Sequence, residues 1–216
     1  MILPFRTDAD IEAAIAAAVP HLDAERLLAY PTETVYGLGS IPTEPALAAL
    51  ARLKGRPAHK PFLVLVSTRA MAEASGLVFS HAASVLAEEF WPGPLTLVLP
   101  GGEGWLPDAL RGPEGGIAVR LTSHAGIRRL IAALDQPLTS TSANRPGERP
   151  APGADRLAEA FAPEIARGEL LVLDGGVLGN VPPSTLVDLT APIPRLVREG
   201  AIPRAELRRR VGSLAP

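Results

Sequence analysis

The chain has 216 residues, 47% hydrophobic and 20% charged, with a mean hydropathy of +0.19. This is enough apolar material for one ordinary domain with a buried core, and it excludes a disordered tail. Glycine (20) and proline (23) follow no fixed period, so the chain is not collagen-like, and 4% aromatics leave the core to Ala, Leu, Val and Ile. With 21 basic and 23 acidic residues the net charge is −2 and the pI near 6.1, so no global positive field recruits nucleic acid; the absence of cysteine excludes disulfides, a thiolate nucleophile and a Cys-based zinc site.

In chain order, residues 10–19 are Ala/Ile-rich at helical spacing and predict a helix closed by Pro20. Residues 27–30 read as a strand running into Pro31-Thr32-Glu33-Thr34. Thr43 is an N-cap for a helix that buries Leu47, Leu50 and Leu53 and ends near Gly55 and Pro57. Residues 62–66 are a buried strand, 80–90 a helix stopped by Trp91-Pro92-Gly93-Pro94, 95–99 a strand and 100–116 a loop. A strand at 117–121, a helix at 124–134 and the polar run Ser140-Thr141-Ser142-Ala143-Asn144 follow. Residues 145–153 read as a mobile loop and 154–162 as a short helix; 170–173, 185–189 and 195–197 are strands, and Pro203 opens a last helix over 204–211. Strands alternating with helices in this way predict an α/β fold with a mixed, twisted sheet.

No basic flank precedes a long apolar run at the N-terminus, and the runs at 63–66 and 95–99 are too short to span a bilayer, so a cytoplasmic protein is expected. His21, His59, His81 and His124 form no metal-ligand spacing.

Four groups of residues carry candidate chemistry. In residues 30–39 a strand ends in Pro and two hydroxyls, followed by glycines that let backbone N–H groups approach a ligand; a hydroxyl-rich turn reads equally well. Lys54, Gly55 and Arg56, with Lys60 nearby, make a cationic fork suited to phosphate or carboxylate, although cations also end helices simply to complement the macrodipole. The run at 140–144 suits a nucleotide base or phosphate, or an Asx/Ser turn. Arg120, Ser184 and Arg198 are scattered and weak singly. A Walker-type P-loop, a Gly-x-Gly-x-x-Gly fingerprint and a Gly-x-Ser-x-Gly elbow are all absent.

Taken together and in order, Pro31-Thr-Glu-Thr-Val-Tyr-Gly-Leu-Gly39, Lys54-Gly-Arg-Pro57, Trp91-Pro-Gly-Pro-Leu-Thr96, Ile117-Ala-Val-Arg120, Ser142-Ala-Asn144, Ser184-Thr-Leu-Val-Asp188 and Val197-Arg-Glu-Gly200 resemble the YrdC-like threonylcarbamoyl-AMP synthase family over about residues 10–202. The resemblance implies a single α/β domain over residues 1–216, without an additional C-terminal domain. Its twisted, mixed and largely parallel sheet would be flanked by helices and carry a large concave active site. It implies condensation of L-threonine, bicarbonate or CO₂ and ATP to threonylcarbamoyl-adenylate and pyrophosphate, for the N6-threonylcarbamoyl modification of adenosine 37 in tRNA. ATP is then a substrate carrying Mg²⁺, with no protein-built metal site. tRNA and tRNA-modification proteins are the further partners, and no membrane is involved.

By the same resemblance Lys54 and Arg56 are catalytic. Lys54, Arg56, Lys60, Ser142, Asn144 and Arg198 bind ATP, and Thr32, Thr34, Arg120, Ser140 and Ser184 bind L-threonine. The chain departs from the family's pattern in three places: residues 62–66 are wholly apolar where many members carry a His, Lys60 stands where others have Asn, and Thr122 replaces a Pro. Residues 145–153 are also less typical. The reading from another class is an RNA-binding module that recognises RNA shape through a concave basic surface. Against it stand the pI and the scarcity of aromatics for base stacking. The basic cluster Arg204, Arg208, Arg209 and Arg210 reads as a solvated helix end.

Overall fold

The computed structural model describes residues 1–56, 60–101, 104–179 and 181–215. Pro57, His59 and residues 102–103 of the expected loop lie outside the described residues. The strands are β1 (Ile2–Pro4), β2 (Leu27–Tyr30), β3 (Gly37–Gly39), β4 (Leu63–Leu65), β5 (Leu95–Pro100), β6 (Gly116–Arg120), β7 (Leu138–Ser142), β8 (Leu170–Asp174), β9 (Thr185–Asp188) and β10 (Arg195–Arg198). They form one sheet in the order β1-β8-β2-β3-β7-β4-β6-β5-β9-β10. The helices are α1 (Asp8–Asp23), α2 (Glu44–Lys54), α3 (Arg69–Ala74), α4 (His81–Phe90), α5 (Ala125–Leu134), α6 (Ala154–Ala160), α7 (Ala162–Ala166) and α8 (Arg204–Val211). No helix among the described residues is long and apolar enough to cross a membrane.

Alternation along each strand sends side chains to two cores. On one face Leu28, Tyr30, Leu138, Leu171 and Leu173 pack with Ala14, Ala18 and Leu22 of α1 and Ile127, Leu130 and Ile131 of α5. On the other, Leu27, Ala29, Val64, Leu97 and Val119 pack with Leu47 and Leu50 of α2, Leu86 of α4, Leu157 of α6 and Leu207 of α8. A sheet covered on both faces needs apolar residues at successive positions, and β2 is buried throughout. Side-chain caps start the helices: Thr7 Oγ1 accepts from Asp10 N–H while Thr7 N–H donates to Asp10, and Thr43, Thr68, Ser80 and the ring of His124 cap α2 to α5.

The sheet is mixed, as expected, but parallel pairs do not dominate it. Pairs β1–β8, β2–β8, β4–β6 and β5–β9 are parallel. They are outnumbered by the antiparallel pairs β2–β3, β3–β7, β4–β7, β5–β6 and β9–β10. The cause is local: the turn at residues 31–36 folds β3 straight back on β2, and β7 then pairs antiparallel on both of its edges. Helix α1 runs through Pro20 to Asp23, because a proline in the last turn removes one donor while Leu22 stays fully buried. Strands β1 and β3, helix α3 and a 3-10 turn at Asp108–Leu110 are additions to the expected elements. The helix expected at 154–162 breaks at Phe161, whose ring is buried, into α6 and α7.

Candidate functional site

The ends of β5, β6, β7 and β9 meet the turn after β2, the segment after α2 and the end of β10 around a hollow of about 370 Å³. Thr32, Thr34, Val35 and Gly37 form one wall; Arg56, Lys60, Pro61 and Leu63 form a second. Thr96, Arg120 and Ser140 to Ser142 line it from β5, β6 and β7, and Pro183, Ser184 and Arg198 from the start of β9 and the end of β10.

Each polar wall residue is held by a local device. Thr32 Oγ1 donates to Val35 O (2.6 Å) and accepts from Thr34 N–H (3.2 Å) and Val35 N–H (3.3 Å), so its hydroxyl builds the turn. Thr34 Oγ1 faces Arg120 Nη2 at 3.4 Å. Arg120 closes β6, is 5% exposed, and donates through Nη2 to Glu33 Oε2 at 3.1 Å. Ser184 Oγ shares a hydrogen bond with Thr96 Oγ1 at 2.8 Å. Arg198 stands on the exposed rim and folds its guanidinium onto Ser184 O, at 2.8 Å from Nη2.

Gly55 ends α2 at φ 52°, a left-handed cap that turns the chain sharply between Lys54 and Arg56. Arg56 then donates to Lys60 O (2.5 Å), Pro61 O (2.5 Å) and Thr141 Oγ1 (3.0 Å), with its guanidinium 4.5 Å over the Phe62 ring. Lys54 takes another direction. Its Nζ donates to Ser142 O (2.9 Å), Asn144 O (2.5 Å) and Asn144 Oδ1 (3.0 Å), behind β7 and off the wall. Asn144 Oδ1 also accepts from Ser142 Oγ at 2.6 Å, and its Nδ2 donates to Arg145 O and Glu148 O. Asn144 therefore ties the root of the loop at 145–153, which Arg145 anchors further by pairing with Glu164 and lying 4.4 Å over Phe161.

The hollow is cationic. Arg56, Lys60, Arg120 and Arg198 line it, and no acidic residue does so among the described residues. Burial pushes the Arg56 guanidinium below its ordinary pKa; desolvation, and then the charge of Arg120, do the same to Arg198. Burial, with the Arg56 charge added, pushes Lys54 down to about 8. Cations crowded together and partly removed from water attract anions, which offset their mutual repulsion. No group of three or more His, Asp or Glu side chains among the described residues gathers to hold a metal ion.

Of the residues expected from sequence, Thr32, Thr34, Arg56, Lys60, Arg120, Ser140, Ser142, Ser184 and Arg198 share this one hollow, while Lys54 and Asn144 brace it from behind. Thr96, Thr141 and Glu33 were not singled out, though each lies inside a segment that was; only folding shows that Thr96 and Thr141 face the hollow and that Glu33 backs it. Leu65, in the wholly apolar stretch, is paired in register with Arg120 and fully buried, so β4 gives the site no polar group at that point.

Residues 21–200 match the model of the Sua5_yciO_yrdC family, which carries the description "Telomere recombination". The chain is 36% identical over 190 residues to a threonylcarbamoyl-AMP synthase of Pyrococcus abyssi, covering 88% of this chain and 54% of that protein; it thus spans about half the length of that relative. It is 40% identical over 178 residues to a threonylcarbamoyl-AMP synthase of Chromohalobacter salexigens, covering 81% and 92%. The crystal structure of P. abyssi Sua5 complexed with L-threonine superposes with a TM-score of 0.90 at 33% identity, over 100% of this chain and 62% of that one. E. coli YciO superposes at 0.80 and 25% identity, over 93% and 95%. Fold, site segments and sequence agree, and the chain belongs to the Sua5/YciO/YrdC family.

Proposed function

We propose that this chain is a threonylcarbamoyl-AMP synthase, a nucleotidyltransferase that joins L-threonine, bicarbonate or CO₂ and ATP into threonylcarbamoyl-adenylate with release of pyrophosphate. The observation that carries this reading is the convergence of Arg56 and Lys60, Arg120, and Arg198, from three separate segments, on one hollow that also carries six serine and threonine hydroxyls besides Thr141. The chemistry requires such a place. The threonine amine attacks the carbon of CO₂ with loss of a proton, or of bicarbonate with loss of water, to give a carbamate; a carbamate oxygen then attacks the α-phosphorus of ATP, and pyrophosphate leaves with the electron pair of the broken P–O bond. Both partners are anions, so fixed cations must offset their repulsion and the charge developing on phosphorus. Positioning and electrostatics supply the rest.

In this reading Arg120 takes the threonine carboxylate through its guanidinium fork, and Thr34, Ser140 and Ser184 read the amine and hydroxyl. Thr32, with its hydroxyl committed to the turn, supports Thr34. Arg56, Lys60, Ser142 and Arg198 hold the carbamate and the phosphates. Lys54 and Asn144 act one step back, fixing the backbone that presents Ser142. Mg²⁺ enters as the counter-ion of ATP, as part of the substrate. The labile product is passed to the proteins that modify adenosine 37 of tRNA.

The test is pyrophosphate release by the purified chain. The expected result is release that requires both L-threonine and bicarbonate; ATP turnover indifferent to threonine overturns the proposal.

A further inference from the structure

We propose that Glu33 is a positioning residue for Arg120, aimed in turn by Thr122, and that this relay sets the affinity for the substrate carboxylate. The inference rests on the threonine reading above. Glu33 Oε2 accepts from Arg120 Nη2 at 3.1 Å and from the hydroxyl of Thr122. The side chains of the ion pair are 6% and 17% exposed for Arg120 and Glu33. Two buried polar atoms in the described structure have no partner, Glu33 Oε1 and Arg120 Nε, and both belong to this pair.

That coincidence is informative. A guanidinium meeting a carboxylate side-on would engage Nε and Nη2 with both oxygens and leave neither atom orphaned. Here the contact joins one nitrogen to one oxygen. Nη2 bridges Glu33 Oε2 and Thr34 Oγ1, and Nη1 also reaches Thr34 at 3.5 Å, so the tip of the fork stays at the cavity wall. Leaving two buried polar atoms unpaired is costly, and such a cost persists where the surroundings enforce it.

Thr122 is the enforcing group. It donates to the same carboxylate oxygen that Arg120 uses and so holds Glu33 away from the side-on pose. Thr122 is itself fixed: its Oγ1 accepts from His124 N–H at 3.2 Å, and its carbonyl accepts from Arg128 Nη1 at 2.9 Å, at the start of α5. The relay runs from α5 through Thr122 and Glu33 to Arg120 and the hollow. Its position in the sequence explains why Glu33 is easily passed over: it sits between two hydroxyl residues of the wall but backs the wall instead of lining it.

The experiment measures steady-state pyrophosphate release with L-threonine and ATP varied independently, for the wild type, Glu33→Gln, Thr122→Val and the double variant. Glu33→Gln keeps shape and loses the charge; Thr122→Val keeps shape and loses the donor. The expected result is a threonine KM raised about tenfold in Glu33→Gln, with the ATP KM within about twofold of wild type. Thr122→Val shifts the threonine KM the same way by a smaller factor, and the double variant is no worse than Glu33→Gln, because Thr122 acts through Glu33. Thr122→Val leaves the buried ion pair intact, so it decides the matter if Glu33→Gln fails to fold. An unchanged threonine KM, an ATP KM rising in parallel, or additive effects in the double variant overturns the inference. A wild type that turns over ATP without regard to threonine overturns the functional reading beneath it instead, a result separate from any variant.

Discussion

Lys54 has three donors on its ammonium and faces three acceptors, two backbone carbonyls and Asn144 Oδ1. Burial and the Arg56 charge pull its pKa down to about 8, while the ring of acceptors favours the charged form and works the other way. Because the folded value lies below the ordinary one of 10.5, the unfolded chain binds more protons here between about pH 8 and 10.5, so the contribution of this group to stability rises with pH across that window. Activity runs oppositely: above about pH 8 one acceptor loses its donor and the segment carrying Ser142 loosens. We expect turnover to fall on the alkaline side with a midpoint near 8, and Lys54→Met to destabilise the chain by about 1–3 kcal/mol, since it leaves half-buried carbonyls unpaired. A pH–rate profile and urea melts check both; a flat profile from pH 7 to 9 contradicts the first. Sequence made Lys54 a candidate through its place beside Gly55 and Arg56. It could not tell that Lys54 turns behind β7 while Arg56 turns into the hollow, because a one-residue left-handed cap decides this.

Among the elements, β3 matters most to the site and is the hardest to read from sequence. It has three residues, two of them glycines, and neither alternation nor branched side chains mark it as a strand. Its requirement for glycine is steric. A Cβ on Gly39 would lie 1.7 Å from the carbonyl oxygen of Thr139 on the neighbouring β7, and one on Gly37 would lie 2.8 Å from the Tyr30 ring. Backbone, unlike a side-chain tip, has little room to move. Gly39→Ala is therefore expected to cost about 3 kcal/mol, at the upper end for overpacking, and to push β3 off β7, carrying Thr32 and Thr34 away from Ser140. Thermal unfolding and the threonine KM should both respond; a variant as stable as wild type would refute the close packing. The longer elements were legible because their signals were redundant: α2 has Thr43, Glu44, Pro45 and the Gly55 cap all in agreement. Helix α1 misled through Pro20, since tertiary burial of Leu22 outweighs the breaker.

On the scale of the whole molecule, a net charge of −2 conceals a segregated field. The cations of the hollow cluster on one concave site, whereas many other surface cations are already paired, as Arg210 is with Glu89 and Arg195 with Asp188 and Glu114. The hollow instead gathers four cations on a small volume, of which Arg120 is paired with Glu33 behind the wall. No composition count could reveal this, because it depends on which strand ends meet. The consequence is a ligand linkage that distinguishes the two function classes. A ligand at about a hundred times its Kd stabilises the fold by about 2.7 kcal/mol. In a chain of this size that is worth roughly 2–4 °C per kcal/mol. ATP with Mg²⁺ or L-threonine, each added alone at about a hundred times its Kd, should thus raise Tm by about 5–10 °C, and in Arg120→Ala the threonine shift should shrink while the ATP shift does not. A short RNA duplex at physiological salt should leave Tm unchanged. Stabilisation by the duplex and none by the small molecules would reverse the assignment, because it would mean that the cations of the hollow are not where the molecule meets its ligand.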